Sequence, residues 1–184
     1  MKKENFSKKY TKKNGFSLVE LIIAIAITTI MISLIVPFTL SFSKTHKRQE
    51  EINDMDLELS KTVDIIKKVV RSAQDYNGSE AVISPAKGTT SSALILTTTI
   101  EQTSPSGVYI PYWVKFEVMG NELKVGESDV SSASVVASDT ILSNVDDGYF
   151  LYDKNVVVIY LKLKNGEYTR TIRDSAVTRI DFNF

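Results

Sequence analysis

The 184-residue chain contains no cysteine, which excludes a disulfide framework, thiolate metal sites and a thiol nucleophile. Its one histidine, His46, gives no basis for a multi-histidine metal centre or an imidazole-centred triad. No nucleophile elbow, phosphate-binding loop, dinucleotide fingerprint or HExxH is present. Carboxylates are plentiful, yet nothing in their spacing singles out a catalytic pair. The sequence is therefore read as that of a non-enzyme without a cofactor. Glycine and proline are scarce, and neither occurs between residues 38 and 77, so nothing there breaks a helix.

Charge is missing locally. The 22 residues from Leu21 to Phe42 carry none, whereas residues 44–75 are densely charged. A net charge of zero conceals a second asymmetry. Residues 1–15 hold six lysines (Lys2, Lys3, Lys8, Lys9, Lys12, Lys13) against Glu4, so the remainder of the chain is net acidic. That balance gives no general drive toward nucleic acid.

A basic head before an apolar run points to export or membrane insertion, and three versions compete. A removable secretory signal would be cut after the apolar core, and Ser41-Phe42-Ser43 fits such a site loosely. A plain anchor needs about 20 apolar residues, which the run supplies, with the lysines holding the N-terminus in the cytoplasm. Both leave Glu20, at the head of the run, without a reason. An acid near the centre of a spanning helix costs roughly 2.5–3.5 kcal/mol on insertion scales, though less near its end. The third version cuts before the run, between Gly15 and Phe16.

The stretch KNGFSLVEL, residues 13–21, resembles the class III signal of type IV pilins and type II secretion pseudopilins. Pro37 lies where that family commonly carries a proline. The resemblance implies cleavage after Gly15 by a prepilin peptidase on the cytoplasmic face and N-methylation of Phe16. It also implies pairing of Glu20 with the N-terminus of an adjacent subunit, and a kink or local unwinding at Pro37. The implied partners are the peptidase, other pilin subunits in a filament, and the cytoplasmic membrane before assembly. After assembly the expected location is a cell-surface filament, its base or its tip. A nucleic-acid partner is not established by the sequence.

After Ser43 the pattern becomes amphipathic. Ile52, Met55, Leu59, Val63, Ile66, Val70 and Ala73 recur at steps of three or four, which marks one helical face, and Leu57, Ile65 and Val69 would broaden it. One helix is thus expected from Phe16 to about Asp75, ended by Asn77-Gly78. Its apolar stripe needs a partner, most simply the chain's own C-terminal sheet, with a free coiled coil as the alternative.

From Ser79 the texture is strand and turn. Strands are expected at residues 91–100, 109–119, 122–126, 156–164, 167–173 and 176–184, with hairpins at Gly120-Asn121 and Asn165-Gly166. In the last segment Thr178, Ile180, Phe182 and Phe184 form the expected buried face. Residues 101–107 and 127–147 read as loops, with a short strand at Thr140–Leu142. The whole is α+β and pilin-like, a long N-terminal helix packed on an antiparallel sheet. Its expected divisions are a cleaved leader, 1–15; a transmembrane or filament-core helix, 16–43; an amphipathic continuation, 44–77; and a β-sheet domain, 78–184. The helix-end sequence KKVVRSAQ and the closing Val177-x-x-Ile180-x-Phe182 resemble J-type minor pseudopilins, and Glu20 argues against the K-type tip subunit.

Weaker candidates remain in the C-terminal part. Asn144, Asp146, Asp147 and Asp153 would offer oxygens to calcium, although Asn-Val-Asp-Asp-Gly also has turn composition. Tyr109, Tyr112, Trp113, Tyr149, Phe150 and Tyr152 would form a surface for adhesion if exposed, and otherwise core and cross-strand pairs. Lys162, Lys164, Arg170, Arg173 and Arg179 would line one sheet region, as a DNA-capturing or a merely solvated face. Lys44, His46, Lys47 and Arg48 would flank the membrane. The assignment from these residues is a minor pilin-like subunit that joins or primes a filament. The alternatives are an adhesin or DNA-capture subunit on the same scaffold, a secretion pseudopilin, and a plain anchored protein.

Overall fold

The computed structural model of the chain describes residues 17–75, 81–101 and 109–179. Two compact units divide it, Met1–Arg48 and Gln49–Phe184. Helix α1, Leu18–Ser72, begins in the first and ends in the second. Its bounds agree with the expected helix to within a few residues at each end.

In the first unit every described residue is exposed, including Ile22, Ile30 and Phe38 at 58, 61 and 72 %. This stretch of α1 is long and apolar enough to cross a membrane. Its threonine hydroxyls are satisfied within the helix, as an apolar surround demands. Thr28 Oγ1 donates to the Ala24 carbonyl at 2.7 Å, Thr29 Oγ1 to Ile25 at 2.8 Å and Thr39 Oγ1 to Ile35 at 2.9 Å.

The second unit places two antiparallel sheets around one helical face. The first sheet has the order β1-β3-β4-β5-β6, from β1 (Val82–Ser84), β3 (Ala93–Glu101), β4 (Tyr109–Met119), β5 (Glu122–Ser128) and β6 (Asp139–Ser143). The second has the order β2-β7-β8-β9, from β2 (Thr89–Ser91), β7 (Val145–Asp153), β8 (Val156–Asn165) and β9 (Tyr168–Val177). Met55, Leu59, Val63, Ile66 and Val70 of α1, with Ala73 just past its end, share a core with Leu94, Leu96, Phe116 and Leu123 of one sheet and Phe150, Ile159 and Leu161 of the other. The predicted stripe is thus the buried face, with Ile52 half-buried at its start. Leu57 and Ile65 do not belong to it, being 53 and 50 % exposed, because they lie round the helix from the stripe.

Strand β8 is the clearest case of sequence dictating burial. Val157, Ile159, Leu161 and Leu163 are buried, while the residues between them face outward. Its hairpin with β9 is present as expected, but the turn falls one residue later, at Gly166-Glu167, because Asn165 still pairs with Tyr168; Gly166 supplies the φ of 61°. Strand β9 reaches Val177, so residues 176 and 177 end that strand rather than opening another. Thr178 is buried as expected, while Ile180, Phe182 and Phe184 lie outside the described residues.

Strand β7 replaces part of the expected 127–147 loop and continues to Asp153. Its Val-Asp-Asp-Gly start has turn composition, and its hairpin to β8 turns without a glycine. Lys154 and Asn155 adopt the left-handed region at φ 49° and 65°, the geometry of a two-residue primed turn. The 129–138 segment folds back on β5 at Gly126, where an added Cβ would lie 1.9 Å from the Val136 carbonyl oxygen. Ser138 N donates to the Val125 carbonyl beside it, at 3.1 Å.

Candidate functional site

The start of α1 is built by the residues Ser17-Leu18-Val19-Glu20. Helix N-termini leave backbone N–H groups without partners, and a glutamate at the third helical position can fold back to one of them. Here Ser17 N donates to Glu20 Oε2 at 2.9 Å, and Leu21 N closes the first turn on the Ser17 carbonyl at 3.1 Å. The carboxylate therefore sits at the positive end of the helix dipole. This cap was legible as the spacing S-x-x-E but is not needed to explain the apolar run, which is why it is easily passed over. Gly15 and Phe16, the expected cleavage and methylation positions, lie outside the described residues.

Pro37 lies inside α1, which continues beyond it to Ser72. Proline lacks the N–H that would reach the Ser33 carbonyl. The nearby hydroxyls serve other carbonyls, with Ser33 Oγ bonded to Ile30 O at 2.7 Å.

On the globular unit the proposed clusters separate. Lys162, Lys164 and Arg173 share the outward face of the β7-β8-β9 sheet with Tyr149 and Tyr160, which stack at 4.7 Å. Arg170 falls on the opposite face and meets Asp56 of α1 at 3.3 Å. Arg179 lies past the strand, its backbone N on the Ala73 carbonyl at 3.1 Å. The five cations therefore do not form one basic surface, because alternation along β9 sends Arg170 and Arg173 to opposite sides.

The calcium candidates do not converge either. Asn144 is the φ 61° residue joining β6 to β7. Asp146, at the bulge near the start of β7, meets Lys162 Nζ at 2.5 Å, and that ammonium holds its carboxyl below the usual range. Asp153 ends the same strand, roughly 23 Å from Asp146 at about 3.3 Å per residue. Among the described residues no group of three or more His, Asp or Glu side chains could hold a metal ion.

The aromatic cluster resolves mostly into packing. Phe150 and Tyr152 are buried and not available to a ligand, because they sit on the inward face of β7. Trp113 is half-buried, and the side chain of Tyr109 is outside those described. The Tyr112 hydroxyl donates to Glu127 across the β4–β5 ladder, and the hydrogen bond with that carboxylate pushes the phenol up to about 12.

Residues 10–36 match the family model for the prokaryotic N-terminal methylation motif. No curated protein and no solved structure matches the chain. The matched segment takes in the expected cut site, the Ser17–Glu20 cap and most of the uncharged run of α1. Such a prepilin signal implies processing by prepilin peptidase, membrane anchoring and later assembly with other pilins. This match, with an apolar N-terminal helix leading into antiparallel sheets, supports the type IV pilin and pseudopilin family.

Proposed function

We propose that the chain is a minor pilin-like structural subunit that joins or primes a type IV pilus or related filament. The observation that carries this reading is the methylation motif running without a break into an apolar helix headed by Glu20. In this reading the peptidase cuts after Gly15 on the cytoplasmic face, methylates the new amine of Phe16, and leaves a single-pass helix with its N-terminus inside. The α-amine of a cut chain titrates at about 7.7–8.0, so it is mostly cationic at neutral pH, and methylation keeps that charge.

Glu20 then has two available partners. Within the chain it caps Ser17 N. Between chains it meets the Phe16 cation of a neighbour, and in an apolar surround each charge offsets part of the other's desolvation. A carboxylate already drawn to the helix start is in place for that exchange. Pro37 supplies a break in the hydrogen-bond ladder where the helix kinks. The role is structural and needs no catalytic group.

Mass spectrometry of the mature chain tests the reading. A terminus at N-methyl-Phe16 is expected, and Gly15→Leu should leave the full precursor. A mature chain beginning at Met1 or after Ser43 would overturn it.

A further inference from the structure

Just past its uncharged run, α1 turns basic before it turns acidic. The run from Leu21 to Phe42 rises about 33 Å at 1.5 Å per residue, close to the roughly 30 Å hydrocarbon core of a bilayer. The next charges are Lys44, Lys47 and Arg48, all exposed, at a spacing of i, i+3 and i+4 that sets them on one side of the helix. From Lys44 to Arg48 the helix rises about 6 Å, the depth of one headgroup layer. Phe38, Phe42 and His46 take the opposite side as a ladder of rings, 6.5 and 6.0 Å apart. No acid interrupts the three cations, and Glu50 and Glu51 follow them.

Basic residues ordinarily gather on the cytoplasmic side of a span. Here that side has its six lysines only while residues 1–15 are attached. A chain cut after Gly15 keeps the Phe16 amine and the Glu20 carboxylate there, which cancel, and three cations at the far end of the run.

We propose that Lys44, Lys47 and Arg48 bind the phosphates of anionic lipid headgroups on the far face of the cytoplasmic membrane, and that loss of the leader makes them the mature subunit's main electrostatic hold on the bilayer. The inference rests on the filament-subunit reading, which sets the cut and the orientation. Ammonium and guanidinium groups at headgroup depth donate to phosphate oxygens while the Phe38 and Phe42 rings stay among acyl chains. A zwitterionic headgroup brings its own cation beside the phosphate, so an anionic one is the complementary partner. Each cation near an anionic surface strengthens attachment roughly fivefold, an attraction that salt weakens. The collar fixes the depth at which the processed subunit waits, and entry into a filament breaks it.

Native mass spectrometry of the cleaved chain, taken from vesicles of mixed phosphatidylglycerol and phosphatidylcholine, reads which lipid it retains. Phosphatidylglycerol should be favoured. Lys44→Gln/Lys47→Gln/Arg48→Gln should insert normally and lose at least roughly tenfold of that preference, whereas Lys44→Arg/Lys47→Arg/Arg48→Lys should keep it. Should the triple glutamine variant fail to insert, Lys47→Glu alone decides by the same loss. The uncut precursor of the glutamine variant should keep a preference through its leader lysines. Three results overturn the collar: no preference in the cleaved wild type, an unchanged preference in the cleaved glutamine variant, or displacement of the lipid by soluble glycerol phosphate, which would make the site one for free phosphate. A chain never cut after Gly15 sinks the filament reading instead, and the collar is then read on a chain whose six leader lysines are replaced by glutamine.

Discussion

Two stretches of α1 have similar helix-forming residues and opposite fates. Ile25 and Ile30, in the first unit, are 58 and 61 % exposed in the single chain; Ile66, in the second, is fully buried. The first stretch is apolar on every side, so no face is preferred and no sheet of the same chain is built to cover it. The second confines its apolar residues to one stripe, and that stripe is covered by two sheets. A helix apolar all round is suited to lipid or to other helices, whereas a striped one is suited to its own domain. The contrast teaches which partner each stretch was selected for: external for the first, internal for the second.

The sharpest way to break the comparison is at Glu20, the one charge between Ser17 and Ser43. Glu20→Ala should insert and be cleaved but enter filaments poorly. Glu20→Gln keeps a side-chain oxygen for Ser17 N and removes the charge, so an equal defect would assign the loss to charge and not to the cap. Comparing mature-size protein with the filament fraction separates these steps. Normal incorporation of both variants would remove Glu20 from assembly.

Next in size is the core. Ile66→Ala should cost the globular unit about 2–5 kcal/mol, the range for deleting a large aliphatic side chain from a packed interior. Ile30→Ala should leave denaturant unfolding of that unit unchanged. Equal destabilisation by the two would erase the distinction between the stretches.

Gly126→Ala probes a different constraint on the same unit. Its new methyl would meet the Val136 main chain, which cannot swing aside as a side chain can. A loss of about 1–3 kcal/mol is expected, in line with overpacked sites. An unfolding midpoint equal to wild type would show that the 129–138 segment is free to lift.

The smallest effects are electrostatic and read by pH. Lys67 and the Ser175 backbone N–H hold the Asp174 carboxyl below its usual range. Its contribution is therefore present above the ordinary value near 3.8 and lost as pH falls through the lower folded value. Because the pair is partly exposed, that contribution should be no more than about 1 kcal/mol. Lys67→Met should flatten this acid limb of the stability profile. At the other extreme, Tyr112 ionises near 10 when unfolded and near 12 when folded, so stability should fall over that interval. Tyr112→Phe should remove this alkaline slope.

Much of the candidate site was legible because local chemistry fixes it. Gly15-Phe16, Glu20 and the uncharged run form a linear motif, read in one direction along the chain, and the 3.6-residue period identified the buried stripe before any partner was known. β8 was equally plain, since strict alternation admits one face only. Other readings failed where nonlocal pairing decides. The acids and glycine of Val145–Gly148 favour a turn, yet pairing with β8 draws them into strand β7. Arg170 and Arg173 are neighbours in sequence and opposites in space, a consequence of β-strand alternation that the linear charge pattern does not weigh.

By itself, then, the sequence determined the motif, the helix and which helical side is apolar, because these depend on residues within a few turns of one another. The tertiary structure alone decided that Leu57 and Ile65 stay uncovered, that β9 is tied to α1 by ion pairs, and that the basic and acidic clusters disperse. Those outcomes depend on which strand edge lies beside which helix flank, and contacts between residues a hundred positions apart, such as Lys67 and Asp174, leave no periodic trace in the chain.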